Sequence, residues 1–159
     1  MNTPRFVMVR LKDTVQDDYR RGKELISTFK CLNTPSQDYF LRYKALDFER
    51  RGVANTYLLV DSRTDRTVGF FTVNAGTRCA YDKPVFEISH LCVGDDCLPF
   101  NETRLIRAAV EMFDKCAERI GPMVLTARCG LHQLESYEKE GFDYLGQSIG
   151  RFHRVVRYY

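Results

Sequence analysis

The sequence predicts one α/β (α+β) domain over residues 1–159, with a mixed, mostly antiparallel central sheet flanked by about four helices. Three observations predict it. Two segments rich in β-branched and aromatic residues, 55–61 and 67–75, are separated only by the turn-forming SRTDR, the pattern of an antiparallel hairpin. The stretch 85–113 passes from strand composition (VFEISHLCV) through a short loop (GDDCLPFNET) into an amphipathic helix (RLIRAAVEMF). Finally, 44% apolar and 28% charged residues in a chain of 159 is ordinary globular composition, with enough length to bury a core without disulfides or metals.

Each element has its own signal. Phe6, Met8 and the alternation through Leu11 predict a first strand, ended by the polar KDT. Residues 15–29 carry Val15, Tyr19, Leu25, Ile26 and Phe29, a helical stripe interrupted around Gly22. Thr34-Pro35-Ser36-Gln37 has the form of a capping box with proline at the first helical position. Tyr39, Phe40, Tyr43, Ala45 and Leu46 form the apolar face behind it, and Gly52 ends the helix.

After the 55–75 hairpin, VFEISHLCV predicts a central strand. Alternation puts Phe86, Ile88, His90 and Cys92 on one face and Glu87, Ser89, Leu91 and Val93 on the other. His90 on the more apolar face reads as a hydrogen-bonded core histidine rather than a catalyst. The next helix has Asn101 as N-cap, a stripe of Leu105, Ala109, Met112, Phe113, Cys116 and Ile120, and a stop at Gly121-Pro122. MVLTARC at 123–129 is a further strand, LHQLESYEKEG a short helix closed by Gly141, and FDYLGQSIGRFHRVVRYY a closing hairpin. The order is β-α-α-β-β-β-α-β-α-β-β, with no internal repeat, low-complexity tract or linker.

Charge and cysteines bound the function. A net charge of +3 permits nucleic acid as a partner without demanding it. The first residues lack an apolar signal region and no run reaches the roughly 20 apolar residues of a membrane span, so the expectation is a cytoplasmic protein with no membrane partner. The six cysteines form no CxxC pair, the pattern of reduced thiols acting as small hydrophobes. His90-x-Cys92-x4-Cys97 lacks zinc spacing and a fourth ligand, so no metal is expected.

The element order, the hairpin YLLVDSRTDRTVGFFTV, the strand FEISHLCV before a long helix, and SYEKEGF at 136–142 together resemble the GNAT superfamily of N-acetyltransferases over nearly the whole chain. SYEKEGF is the most specific piece, matching the family's aromatic-Tyr-x-x-x-Gly-Phe pattern except at its first position. Residues 29–61 are in addition similar to the front half of the acetyltransferase toxins of toxin–antitoxin pairs, which modify aminoacyl-tRNA.

The resemblance implies acetyl-CoA as cosubstrate and an amine acceptor. Backbone groups at Leu91, Cys92 and Val93 would hold the acetyl and pantetheine portions, and Tyr137 would protonate the departing thiolate. The bland alternative for Tyr137 is a packing residue on a stripe with Leu134. Glu87 matches a position where some members place a general base, and reads equally as a carboxylate paired to Arg78 or another cation.

The chain departs from the family at its pyrophosphate loop, whose two glycines are absent from the gap-free match Leu98–Thr103. Asn101 best tolerates a glycine-like backbone, whereas Glu102 and Thr103 crowd or repel a phosphate, which shifts the diphosphate toward side chains such as Arg104. The family's helix asparagine is replaced by Leu131.

Three functions follow: an N-acyltransferase moving acetyl to a primary amine, a toxin-like enzyme acting on aminoacyl-tRNA, and a degenerate relative with a binding role. Arg42, Lys44, Arg50 and Arg51 offer phosphate contacts for tRNA or simply a solvated helix face. A homodimer is left open.

Overall fold

Period-two runs become strands and period-3.6 runs become helices throughout the residues that the computed structural model describes: 5–76, 82–95, 101–147, 150 and 152–159. Strands β1 (Phe6–Arg10), β2 (Asn55–Asp61), β3 (Arg66–Ala75), β4 (Val85–Val93), β5 (Val124–Cys129), β6 (Asp143–Gln147) and β7 (His153–Tyr158) lie in the order β1-β2-β3-β4-β5-β7-β6. β4 and β5 pair in parallel, while β1–β2, β5–β7 and β6–β7 are antiparallel, so the sheet is mixed and mostly antiparallel as the sequence predicts. The helices are α1 (Leu11–Asp17), α2 (Tyr19–Ser27), α3 (Pro35–Tyr43), α4 (Ala45–Arg50), α5 (Glu102–Ile120) and α6 (Leu131–Lys139). Two compact units share these elements: Met1–Thr72 with His90–Asn101, and Val73–Ser89 with Glu102–Tyr159.

In the first unit, the helix expected at 15–29 is two helices, the earlier of which begins at Leu11. Asp18 makes the break. Its backbone is extended (φ −146°) and its carboxylate accepts from the Arg21 N–H at 3.0 Å, capping α2. Gly22 is instead the place where α2 rides on α1, since a Cβ there would lie 2.7 Å from Val15 Cγ2. The second expected helix also splits, at Lys44.

The apolar faces need correction too. Phe40, Leu41 and Ala45 are buried, whereas Tyr39 and Tyr43 stand outside with their rings 4.9 Å apart, as does Tyr19. The core gathers Leu11, Val15, Leu25, Ile26, Phe29, Phe40, Leu58, Val60, Phe70 and Cys92. Phe29 meets Phe70 edge-on at 5.5 Å.

β1 and β2 pair from Phe6–Asp61 to Arg10–Tyr57. Beneath their helices Glu49 is buried, bonded to the Arg10 guanidinium and accepting the Lys12 N–H at the start of α1. Thr56 meets Thr72 and Tyr57 meets Phe71, the opposed register of an antiparallel β2–β3 hairpin.

In the second unit, α5 is the crossover between parallel β4 and β5, whose pairing runs from Val85–Val124 to Ile88–Ala127. Its buried stripe is Leu105, Ile106, Ala109, Val110 and Phe113, with Phe113 5.6 Å from the Phe86 ring. Ile120, expected on that stripe, is exposed because it is the last residue before Gly121, whose φ of +92° turns the chain away. β7 pairs with β5 over Val124–Cys129 and with β6, which carries an irregularity between Tyr144 and Gly146, giving the closing hairpin.

Candidate active site

The SYEKEGF segment folds into a corner that explains its own residues. Tyr137 sits in the last turn of α6, where the Phe142 N–H donates to the Tyr137 carbonyl and the Gly141 N–H to the Glu138 carbonyl, a Schellman closure. That closure needs the left-handed residue Gly141 supplies (φ +84°). A Cβ at Gly141 would in addition meet Arg157 Nη1, the tip of a flexible side chain that donates to the Glu140 carbonyl at 2.7 Å and would have to move aside. The chain therefore folds back so that Phe142 meets the Tyr137 ring edge-on at 5.1 Å. Tyr137 is 1% exposed.

Around Tyr137 the second unit collects Cys129, Glu102 and the start of α6. Burial first, then Cys129 and Glu102, push the Tyr137 hydroxyl well above the usual phenol range. Burial likewise pushes the Cys129 thiol up to about 11, with Glu102 and Glu138 adding to it. Burial also raises the Glu102 carboxyl, against the opposing influence of His132 and a hydrogen bond from Gln133. Gln133 meanwhile accepts the Gly130 N–H at 3.2 Å, so one side chain closes the start of α6 and holds Glu102. The Glu102 carboxyl, expected to repel a phosphate at this loop, thus also interacts with Gln133 and His132 of α6. His132 and Gln133 were not singled out in the sequence, where neither has a motif of its own.

Glu87, the second candidate, lies on β4 with Arg128 Nη2 3.5 Å away on neighbouring β5, a cation-paired arrangement. Arg78 falls outside the described residues, as do Leu98, Pro99, Phe100 and Cys97. Of the loop positions that are described, Asn101 and Arg104 are exposed and Thr103 is half-buried at the first turn of α5.

In the first unit, β4 delivers Leu91, Cys92 and Val93, the first two buried. The Gly94 N–H donates to the Val68 carbonyl at 2.9 Å, and the Asp95 carboxylate receives the Leu32 N–H at 2.9 and 3.1 Å. Thr34 does not cap α3 as the T-P-S-Q pattern predicts. Its hydroxyl lies 2.6 Å from Cys31 Sγ and 3.2 Å from Cys92 Sγ, so tertiary partners outcompete the local cap. A groove of about 980 Å³ runs alongside, lined in part by Lys30, Leu32, Asn33, Arg66 and Gly94. His90, half-buried, stacks on Phe40 with ring centroids 3.6 Å apart, and burial lowers it to about 4.

The basic cluster of α3 and α4 is partly committed to structure. Arg42 bonds Asp38 at 2.9 Å and the carbonyls of Ser27 and Phe29, tying α3 to the end of α2. Arg51 pairs with Asp47 at 3.4 Å. Among the described residues no helix is long and apolar enough to cross a membrane.

Neither a protein-family profile nor a curated protein sequence matches the chain. Solved structures do. AtaT complexed with acetyl-methionyl-tRNAfMet is similar with a TM-score of 0.74 at 14% identity, covering 96% of this chain and 94% of that one. AtaTR bound with AcCoA gives 0.72 at 14% identity over 96% and 92%. A structure described as a bacterial toxin gives 0.75 at 13% identity over 98% and 92%. The fold expected from the sequence is therefore present, shared with AtaT and with that bacterial toxin.

Proposed function

We propose that this chain is an N-acetyltransferase that moves the acetyl group of acetyl-CoA to a primary amine. The observation that carries the proposal is the Tyr137–Gly141–Phe142 corner. It holds a buried, firmly protonated tyrosine at the position where the GNAT resemblance expects the acid, on a fold shared with a structure holding AcCoA. Attack by a neutral amine on the thioester carbonyl expels a thiolate, and a tyrosine hydroxyl is a proton source for it, although burial makes the free-state Tyr137 a weaker acid than an ordinary phenol. Glu87 is proposed to take the proton released by the amine, directly or through a water, with Arg128 holding its carboxylate in place. Backbone groups at Leu91, Cys92 and Val93 are proposed to hold the acyl end of the cosubstrate.

The diphosphate is proposed to lie at the start of α5, near Asn101, Thr103 and Arg104, through a loop without the family's glycines. A helix N-terminus contributes typically about 0.3 to 1 kcal/mol per charge. Burial raises the Glu102 carboxyl and so favours its neutral form, which lessens its opposition to that contribution.

The acceptor most favoured is the amino group of an aminoacyl-tRNA, because the similar structures are toxins, one of them with acetyl-methionyl-tRNA. Incubation with labelled acetyl-CoA and either charged tRNA or free amines tests both levels. Label entering charged tRNA, with binding that falls steeply as salt rises, supports the toxin-type reading. Label entering only free amines supports the general one, and no transfer to either opposes both.

A further inference from the structure

Acetyl transfer as proposed uses no thiol of the chain, yet two thiols meet in the first unit. Cys31 follows α2 and Cys92 lies on β4, each only 4% exposed. Both sulfurs contact the same two oxygens. Thr34 Oγ1 is 2.6 Å from Cys31 Sγ and 3.2 Å from Cys92 Sγ, and the Val93 carbonyl is 3.5 and 3.6 Å from them. The hydrogen bond from Cys92, then those from Thr34, lower the Cys31 thiol to about 6 against burial and Asp95. Most buried thiols are inert; this one is shifted toward its thiolate and has a second thiol against it. The groove runs past both chain neighbours of Cys31, Lys30 and Leu32, and past Gly94 just beyond Cys92, an approach for a small oxidant.

We propose that Cys31 and Cys92 form a reversible disulfide when the protein meets a peroxide. The Cys31 thiolate attacks one peroxide oxygen and the O–O bond breaks, giving Cys31 sulfenic acid and hydroxide. Cys92 sulfur then attacks the sulfenic sulfur; the S–S bond forms, the S–O bond breaks, and hydroxide leaves with the Cys92 proton as water. Two electrons pass from the two thiols to the peroxide, and a small-molecule dithiol reverses the step by exchange.

An S–S bond of about 2.05 Å replaces the contact between the two thiols and ties the loop before α3 covalently to β4 at Cys92. Resting on the acetyltransferase reading, this constrains the backbone proposed to hold the thioester, so closure should slow transfer.

The test treats the reduced, full-length protein with hydrogen peroxide and maps peptides after cleavage at Asp95, which separates Cys92 from Cys97. A Cys31–Cys92 link that forms rapidly, is removed by dithiothreitol, and is missing from Cys31→Ser supports the proposal. A link to any other cysteine, or over-oxidation of Cys31 without a link, overturns it; the wild-type map decides this even if the variant folds poorly. Turnover should fall about tenfold or more on linking, since displacements near 1 Å can cost that much, and should be unaffected by peroxide in Cys31→Ser. Unchanged turnover in linked protein would overturn the regulatory half. A reduced protein that forms the link but transfers no acetyl group would sink the acetyltransferase reading while leaving the disulfide intact.

Discussion

Gly141→Ala carries two separable costs. The backbone at Gly141 has φ +84°, where a non-glycine residue loses about 1 kcal/mol. The new Cβ also enters the space of Arg157 Nη1, which must swing away and give up its 2.7 Å bond to the Glu140 carbonyl. A hydrogen bond from a charged donor is worth about 1.5 to 3 kcal/mol, toward the lower end here because Arg157 is partly solvated. The expected loss of stability is therefore about 2 to 4 kcal/mol by the sum of these effects. Urea unfolding of Gly141→Ala measures it, and the same substitution in an Arg157→Ala background isolates the backbone part, which should be near 1 kcal/mol. A loss under about 0.5 kcal/mol, or equal losses in both backgrounds, would refute the assignment of Arg157 as the obstructing group.

Three further outcomes are expected. Tyr137→Phe keeps the ring against Phe142 but removes the acid, so turnover should drop about 10- to 1000-fold with little change in unfolding midpoint; full turnover would exclude Tyr137 from proton transfer. His90 falls from an ordinary 6.5 to about 4 on folding, so the unfolded chain binds the extra proton between those values. Stability is then full above pH 6.5 and declines by up to about 3 kcal/mol as pH falls toward 4; a slope unaltered in His90→Gln would contradict this. Arg42→Ala should cost about 1 to 3 kcal/mol of stability through its lost carbonyl and Asp38 bonds; undiminished stability together with weakened RNA binding would recast Arg42 as a contact residue.

Where local chemistry decides, the sequence was legible. The hairpin strands, the long helix and the Gly141 exit are announced by β-branched runs, 3.6-residue spacing and a glycine where the backbone turns left-handed. Where tertiary partners decide, it was not. Thr34 looks like a helix cap until Cys31 and Cys92 are brought to it, and Tyr39 and Tyr43 look like core until Phe40 and Leu41 take the inner face. Asp18 breaks a helix that the apolar stripe alone would run through. At the candidate site, Tyr137 and Glu102 could be picked out singly. Their meeting with Cys129 and Gln133 depends on how α5 and α6 pack, which no spacing in the chain encodes.

Binding of acetyl-CoA needs no knowledge of the acceptor, so a calorimetric titration of the reduced protein tests the proposed function most directly. Saturable binding with a dissociation constant between about 1 μM and 1 mM, in the usual range for an enzyme and its substrate, is the expected result. Glu102→Gly should tighten it by removing the carboxyl nearest the glycine-free loop. No saturable heat from the natural protein or from Glu102→Gly at millimolar acetyl-CoA would contradict the account and leave the chain as a binding protein on an acetyltransferase fold.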